Sequence, residues 1–283
     1  MLKAFANAKI NLLLDVTGRE ENGYHTVNNI MQTVSLCDTV TLSCDCVGIK
    51  VAYDDGYEVT DKDICLKAAR EYERLSDKKI NADIFINKVI PTAAGLGGNS
   101  SAAAAVLALL DKQYGCLSQK ELLSVAASLG ADVPFFLMGG TALCEHYGEI
   151  IKPLPTIPKM HLVIAKKGNK GTTADMYKKI DESGVYKNAD LDGMLLAIKN
   201  QDTKKMISLM QNVFEEVASP ESLELKQLMK EFGAQAAMLS GSGPAVFGFF
   251  ADEQKADACC KKLCDCGVSA YLCGTTDSGI IIE

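Results

Sequence analysis

The chain is 283 residues long with 48% hydrophobic and 23% charged side chains, enough for one large domain or two modest ones around sizeable cores. A net charge of −7 argues against nucleic acid as a partner, which calls for a basic face. An anionic ligand must then be met by a few local cations, with Lys9, Lys88, Lys166, Lys167 and Lys170 the candidates. No run of about 18 apolar residues exists to cross a membrane, and Lys9 and Asn11 break the apolar start that a secretory leader needs, so a cytoplasmic location without a membrane partner is expected.

In chain order, residues 9–16 form an apolar run that reads as a strand ending at Thr17-Gly18, and residues 29–36 and 38–46 continue as a second and third strand. Residues 64–75 carry apolar positions at helical spacing. Residues 81–88 alternate as a strand should, and 101–112 are an alanine-rich buried helix. A further helix over 119–129 is stopped by Gly130. Pro153, Pro155 and Pro158 cluster where a domain boundary is expected, dividing the chain into 1–155 and 156–283. Beyond them, 161–165 reads as a strand, 191–230 as mostly helical, and 238–250, 252–264 and 268–274 as strand, helix, strand. The class is α+β, in two halves.

Eleven cysteines, an odd number in a chain that reads as cytoplasmic, do not suggest a disulfide framework. No C-x-x-C pair occurs, only the C-x-C pairs Cys44/Cys46 and Cys264/Cys266. Ala256, Cys259, Cys260 and Leu263 fall at helical spacing and read as small core residues rather than metal ligands.

The most informative stretch is Ile90-Pro91-Thr92-Ala93-Ala94-Gly95-Leu96-Gly97-Gly98-Asn99-Ser100-Ser101, which follows a strand and opens onto the alanine helix. A helix start leaves backbone N–H groups unpaired at the positive end of the helix dipole, a natural seat for phosphate. Glycines let the backbone approach the phosphates, and the paired serines add hydroxyl donors or a metal ligand. The loop lacks the Gly-Lys-Ser/Thr ending of a Walker loop and the third glycine of a dinucleotide fingerprint, and no protein-kinase triplet occurs. Alone, it would also fit an ordinary strand-to-helix turn.

Further short motifs accompany it. In Ala6-Asn7-Ala8-Lys9-Ile10-Asn11-Leu12, Lys9 and Asn11 share one face of a strand, which is either exposed or aimed into a polar site. Gly23-Tyr24-His25 is a turn presenting a flat ring beside a hydrogen-bonding one, or simply a half-buried tyrosine. In Leu129-Gly130-Ala131-Asp132-Val133-Pro134-Phe135-Phe136, Asp132 is either a helix N-cap or a partly desolvated general base. Leu239-Ser240-Gly241-Ser242-Gly243-Pro244 is a second glycine turn allowing close backbone approach.

In this order and spacing the motifs resemble the GHMP small-molecule kinases, and Gly23-Tyr24-His25 points to the branch acting on 4-diphosphocytidyl-2-C-methyl-D-erythritol. The resemblance spans essentially the whole chain and is weakest between about residues 169 and 232. It implies a ribosomal-protein-like N-terminal domain, a ferredoxin-like C-terminal domain and a cleft between them. It implies ATP and Mg²⁺ as cofactors, phosphorylation of the acceptor's 2-hydroxyl in the non-mevalonate route to isoprenoid precursors, and a monomer or homodimer.

Carried over residue by residue, the resemblance makes Asp132 the group that accepts or orients the hydroxyl proton. Lys9 offsets charge and keeps Asp132 ionised, and Asn11 positions the acceptor. Pro91, Thr92, Ala93, Ala94, Gly95, Leu96, Gly97, Gly98, Asn99, Ser100 and Ser101 would cradle the ATP phosphates, with Ser100 or Ser101 near Mg²⁺ and Lys88 close to the adenine. Tyr24 would stack on cytosine, His25 would meet its edge and Tyr177 would cover its other face, with Gly241 and Ser242 also at the substrate.

The chain departs from the family pattern at Asn7, Asn99, Ala102 and the Asp63-Ile64-Cys65-Leu66 segment. Two rivals remain at this stage, a GHMP kinase with another acceptor and a catalytically silent nucleotide binder.

Overall fold

A computed structural model describes residues 1–169, 171–184 and 188–283, and Lys170 lies outside the described residues. The first half opens with two long strands, β1 (Leu2–Arg19) and β2 (His25–Ser43), followed by β3 (Ile49–Tyr53) and α1 (Ile64–Ser76). Then come β4 (Ala82–Asn87), α2 (Gly98–Tyr114), α3 (Gln119–Leu129), α4 (Val133–Met138), β5 (Thr141–His146) and β6 (Ile150–Pro153). The second half is β7 (His161–Lys166), α5 (Thr173–Ser183), α6 (Leu191–Lys199), α7 (Thr203–Leu209), the two-residue β8 (Gln211–Asn212) and a 3₁₀ turn, Val213–Val217. It ends with α8 (Pro220–Glu231), β9 (Ala236–Leu239), β10 (Val246–Phe250), α9 (Glu253–Asp265), β11 (Ser269–Gly274) and β12 (Ile280–Ile282).

The first sheet runs β12-β1-β2-β4-β3, with β5 pairing one part of β2, β6 extending β5, and β8 joining β1 in parallel. The second sheet is antiparallel, ordered β11-β7-β10-β9, with α8 and α9 packed on it. Pro153 ends β6, and Pro155 and Pro158 lie in the connection to β7. Two strands of the second half, β8 and β12, nonetheless return to flank β1.

β1 threads all three apolar cores. Ala4 and Ala6 pack with the helices of the first half. Ala8, Ile10, Leu12 and Leu13 meet residues of β7, β10 and α6. Leu14 and Val16 join α5, α8 and α9. Being covered on both faces, the strand shows a continuous apolar run instead of alternation. Its register against β2 shifts between Asn7 and Ala8 and again between Asn11 and Leu13, so irregularities bracket Lys9 and Asn11. Bulges of this kind re-aim side chains near functional sites.

α2 is buried along most of its length because its alanines are small enough to lie against the sheet: Ala102, Ala103, Ala104 and Ala105 are at most 1% exposed. Of the two α9 cysteines read as core residues, Cys259 is buried beside Ala256 and Leu263 while Cys260 is half-buried, and all eleven cysteines are free.

The chain differs from expectation in three places. Residues 29–36 and 38–46 are not two strands but lie largely in one, β2, because Asp38 finds partners inside the structure. Residues 238–250 are two strands hinged at the second glycine turn. The helical tract 191–230 is interrupted by β8 and the 3₁₀ turn.

Candidate active site

Asp38, fully buried in β2, fixes the entry to the glycine loop. Its carboxylate accepts from the backbone N–H of Val89 (2.7 Å) and Ile90 (2.8 Å) and pairs with the Lys88 ammonium. A buried carboxylate without such partners would be strongly unfavourable. Downstream, Gly97 takes a left-handed conformation (φ 72°) as the N-cap of α2 and no side chain caps that end, so the first backbone N–H groups face the loop. Ala93 also has positive φ, 51°, a strained value for a residue with a Cβ.

The close approach needs glycine at two positions. A Cβ on Gly95 would lie 2.1 Å from the Ser240 carbonyl oxygen, and one on Gly97 would lie 2.5 Å from the Phe136 ring. The loop bonds to both halves of the protein: Leu96 accepts from Lys9 N–H at 3.0 Å, Ala94 from Ala245 N–H at 3.3 Å, and Gly95 from the Ser240 hydroxyl at 3.0 Å. Lys88 and the residues Pro91, Thr92, Ala93, Ala94, Gly95, Leu96, Gly97, Gly98, Asn99 and Ser100 line a hollow of about 160 Å³.

Ser101 is a correction. Its side chain is fully buried, and its hydroxyl donates to the Asn7 carbonyl at 2.6 Å, tying α2 to β1. This leaves Ser100 as the hydroxyl of the pair that lines the hollow. Lys88 stands at the loop itself, its amine beside Gly98, and is committed to Asp38.

Next to the loop, a cavity of about 340 Å³ is lined by Lys9, Asn11, Asp132, Gly241 and Ser242 among others. Lys9, 4% exposed, donates to Asn11 Oδ1 at 2.7 Å. The same oxygen accepts from Gly241 N–H at 2.7 Å, while Asn11 Nδ2 donates to Asn29 Oδ1 at 2.7 Å. Burial holds the Lys9 ammonium below its ordinary 10.5, opposed first by the Asp132 carboxylate. Burial and then Asp132 push the neighbouring Cys144 thiol up to about 12, so it stays an inert neutral group. The Lys9 and Asn11 pair is therefore aimed inward, not exposed.

The N-cap alternative for Asp132 also resolves. Asp132 precedes α4, but its side chain makes no capping hydrogen bond. Instead it lines the cavity with Lys9.

A third cavity of about 820 Å³ contains Tyr24, His25 and Tyr177, with Arg19, Tyr147 and Asp181. His25 bonds Asp181 through Nε2 at 2.7 Å and stacks on Tyr177 with ring centroids 4.7 Å apart. That spacing leaves no room for a base between these two rings. Tyr24, 66% exposed, instead tilts against Tyr147 at 5.5 Å. Burial pushes the Tyr177 hydroxyl up to about 12.

Asn29, Tyr147, Asp181, the N-cap residue Thr172 of α5 and its neighbour Thr173 were not legible in sequence. Each is an ordinary polar residue brought to the cleft by tertiary pairing alone. Of the other candidate cations, Lys166 donates to the Thr92 carbonyl at 2.9 Å and Lys167 pairs with Glu224.

Among the described residues no group of three acidic, histidine or cysteine ligands could hold a metal, and no helix is long and apolar enough to cross a membrane.

Comparison with known proteins agrees with this layout. Residues 63–140 match the GHMP kinases N terminal domain and residues 194–269 the GHMP kinases C terminal model. A 4-diphosphocytidyl-2-C-methyl-D-erythritol kinase of Lachnospira eligens is 40% identical over 260 residues, covering 90% of each chain. One from Alkaliphilus oremlandii is 37% identical, covering 97% of this chain and 96% of its own. The crystal structure of a 4-(cytidine 5'-diphospho)-2C-methyl-D-erythritol kinase superposes with a TM-score of 0.82 at 28% identity, covering 96% of this chain and 98% of its own. A homoserine kinase from Cytophaga hutchinsonii, at 20% identity, shares the fold with a TM-score of 0.74 over 100% of this chain and 97% of its own. The chain belongs to the GHMP kinases, and within them to the 4-diphosphocytidyl-2-C-methyl-D-erythritol kinase family.

Proposed function

We propose that this protein transfers the γ-phosphoryl group of ATP to the 2-hydroxyl of 4-diphosphocytidyl-2-C-methyl-D-erythritol, in the cytoplasm, as a monomer or homodimer. The observation that carries the reading is the continuity of the three cavities. The loop hollow and the Lys9–Asp132 cavity share Ala93, Gly95 and Gly97, and the latter shares Tyr147 and Tyr177 with the aromatic cavity. One groove thus runs from a phosphate seat, past a buried cation facing a carboxylate, to rings suited to a nucleobase.

Phosphoryl transfer depends chiefly on alignment and charge stabilisation. The loop N–H groups at the start of α2 hold the ATP phosphates. Asp132 takes or orients the proton of the attacking hydroxyl. Lys9, beside Asp132, offsets charge on the transferring group, and Asn11 holds Lys9. Ser100, which lines the loop hollow, would be the protein partner of a Mg²⁺ ion bound with ATP, and that ion would neutralise charge on the phosphates. Tyr24, His25, Tyr177 and the cavity they share form the base-recognition end, and Gly241 and Ser242 the floor between.

An ADP-release assay with Mg-ATP tests the reading, run with the cytidylated acceptor beside uncytidylated methylerythritol phosphate, homoserine and mevalonate. Turnover confined to the cytidylated acceptor is expected. Turnover of another acceptor would discard the base-recognition assignment, and silence on all four despite ATP binding would favour a non-catalytic nucleotide binder.

A further inference from the structure

Asn212 lies outside the motifs and touches none of the three cavities, yet its side chain is 1% exposed and fully bonded. From β8, beside Leu14 of β1, its Nδ2 donates to two carbonyls, Leu239 O and Gly241 O, both at 2.8 Å. Its Oδ1 accepts from Phe214 N–H at 3.0 Å. The two carbonyls belong to the peptide units on either side of the one joining Ser240 to Gly241. That middle unit is the one whose N–H reaches Asn11 Oδ1 at 2.7 Å and whose carbonyl accepts from Gly243 N–H at 2.9 Å. Gly241 sits at φ 53°, so its backbone has conformational freedom that something else must remove.

We infer that Asn212 is a positioning residue for phosphoryl transfer: by clamping both neighbouring peptides it aims the Gly241 N–H at Asn11, which fixes the oxygen that receives Lys9. Without the clamp the glycine turn can rotate, the Asn11 amide loses its orienting donor, and the Lys9 ammonium loses a fixed acceptor. The inference rests on Lys9 and Asn11 serving the transfer as proposed above, but not on the identity of the acceptor.

The test is a double-mutant cycle of Asn212→Ala and Asn11→Ala, read on whichever acceptor the wild-type protein turns over. Asn212→Ala should lower kcat about 10-fold to 100-fold, as small misplacements do, with KM for both substrates nearly unchanged. In the Asn11→Ala background the same substitution should cost almost no further kcat while still lowering Tm. Multiplicative losses in kcat, or a fall in Tm with kcat intact, would overturn the inference and leave Asn212 a packing residue. If Asn212→Ala does not fold, Asn212→Ser, which keeps a donor for one carbonyl, enters the same cycle.

A second readout needs no turnover: NMR titration of the Lys9 ammonium, which faces Asp132 before α4, Cys144 on β5 and Asn11 on its own strand. Losing its hydrogen-bond acceptor disfavours the charged form, so the Lys9 pKa should fall in the Asn212 variant. An unchanged titration would overturn the inference, whichever acceptor the enzyme uses.

Discussion

The two ends of the groove are built differently. The phosphate end is made of backbone: glycines at positive φ, carbonyls accepting across the two halves, and a buried Asp38 gripping the loop's entry. The aromatic end, proposed for cytosine, is made of side chains from distant segments, with Tyr24 and Tyr147 on exposed turns and Tyr177 and Asp181 on α5. Backbone seats are set by short contiguous motifs and tolerate little change. Side-chain seats depend on tertiary pairing and are individually softer. On the proposed reading, phosphoryl transfer takes place beside the rigid end, at Lys9 and Asp132, and base recognition at the adaptable one.

That contrast predicts a ranking of effects. The largest belongs to Asp132→Asn, which should lower kcat by about 10²–10⁴-fold while folding is retained, since the side chain caps nothing. The kcat–pH profile should carry a second signature. Burial already holds the Lys9 ammonium below 10.5, and activity is lost as pH rises through that lowered value. The Asp132 charge opposes the shift, so residual activity in the variant should show an alkaline limb moved to still lower pH. Near-normal kcat in a folded Asp132→Asn protein would remove the carboxylate from the chemistry.

Next comes Gly95→Ala. Its Cβ would lie 2.1 Å from the Ser240 carbonyl in a left-handed backbone, so loop or turn must shift. A loss of about 1–3 kcal/mol in denaturant unfolding is expected, with a raised KM for ATP. Unchanged stability and ATP binding would show that the phosphate end is as adaptable as the other.

Tyr177→Ala follows, at the softer end. If its ring face away from His25 stacks on the base, as proposed, its loss costs about 1–3 kcal/mol and should appear as a raised KM for the cytidylated acceptor with KM for ATP unchanged. Equal weakening of both would mean that Tyr177 acts through α5 packing, since it also meets Phe214 edge-on at 5.0 Å.

How much was legible in sequence tracks the same division. The glycine loop, the shared Lys9 and Asn11 face and Asp132 could be picked out because each is local, a few residues close in sequence, but that Lys9 and Asn11 point inward and that Asp132 caps nothing only the structure decides. The split of roles between Ser100 and Ser101 could not, because only the packing of α2 on β1 decides which hydroxyl is buried. The unity of β2 was hidden by Asp38, a charge that reads as a break until its buried partners are seen. Asp181 and Asn212 had no signal at all, since their partners lie 156 and 27 or 29 residues away in sequence.

The smallest expected effect probes the rim where the soft end is held together. His146 bonds Glu149 and Glu20, and its pKa is raised first by the hydrogen bond to Glu149. Glu20 also receives the Tyr147 hydroxyl, so the imidazolium links the turn after β1 to the turn after β5. A raised pKa means the charged link is complete below the ordinary histidine value of 6.5 and fades as pH rises through the raised one. The groups are exposed and screened, so the consequence is modest: a few-fold rise in KM for the acceptor across that range, weaker at high salt and absent in His146→Gln. KM for ATP should stay flat, because no part of this link touches the loop hollow. If both constants moved together with pH, the two ends would be one mechanical unit, and their separation into a rigid seat and an adaptable one would fail.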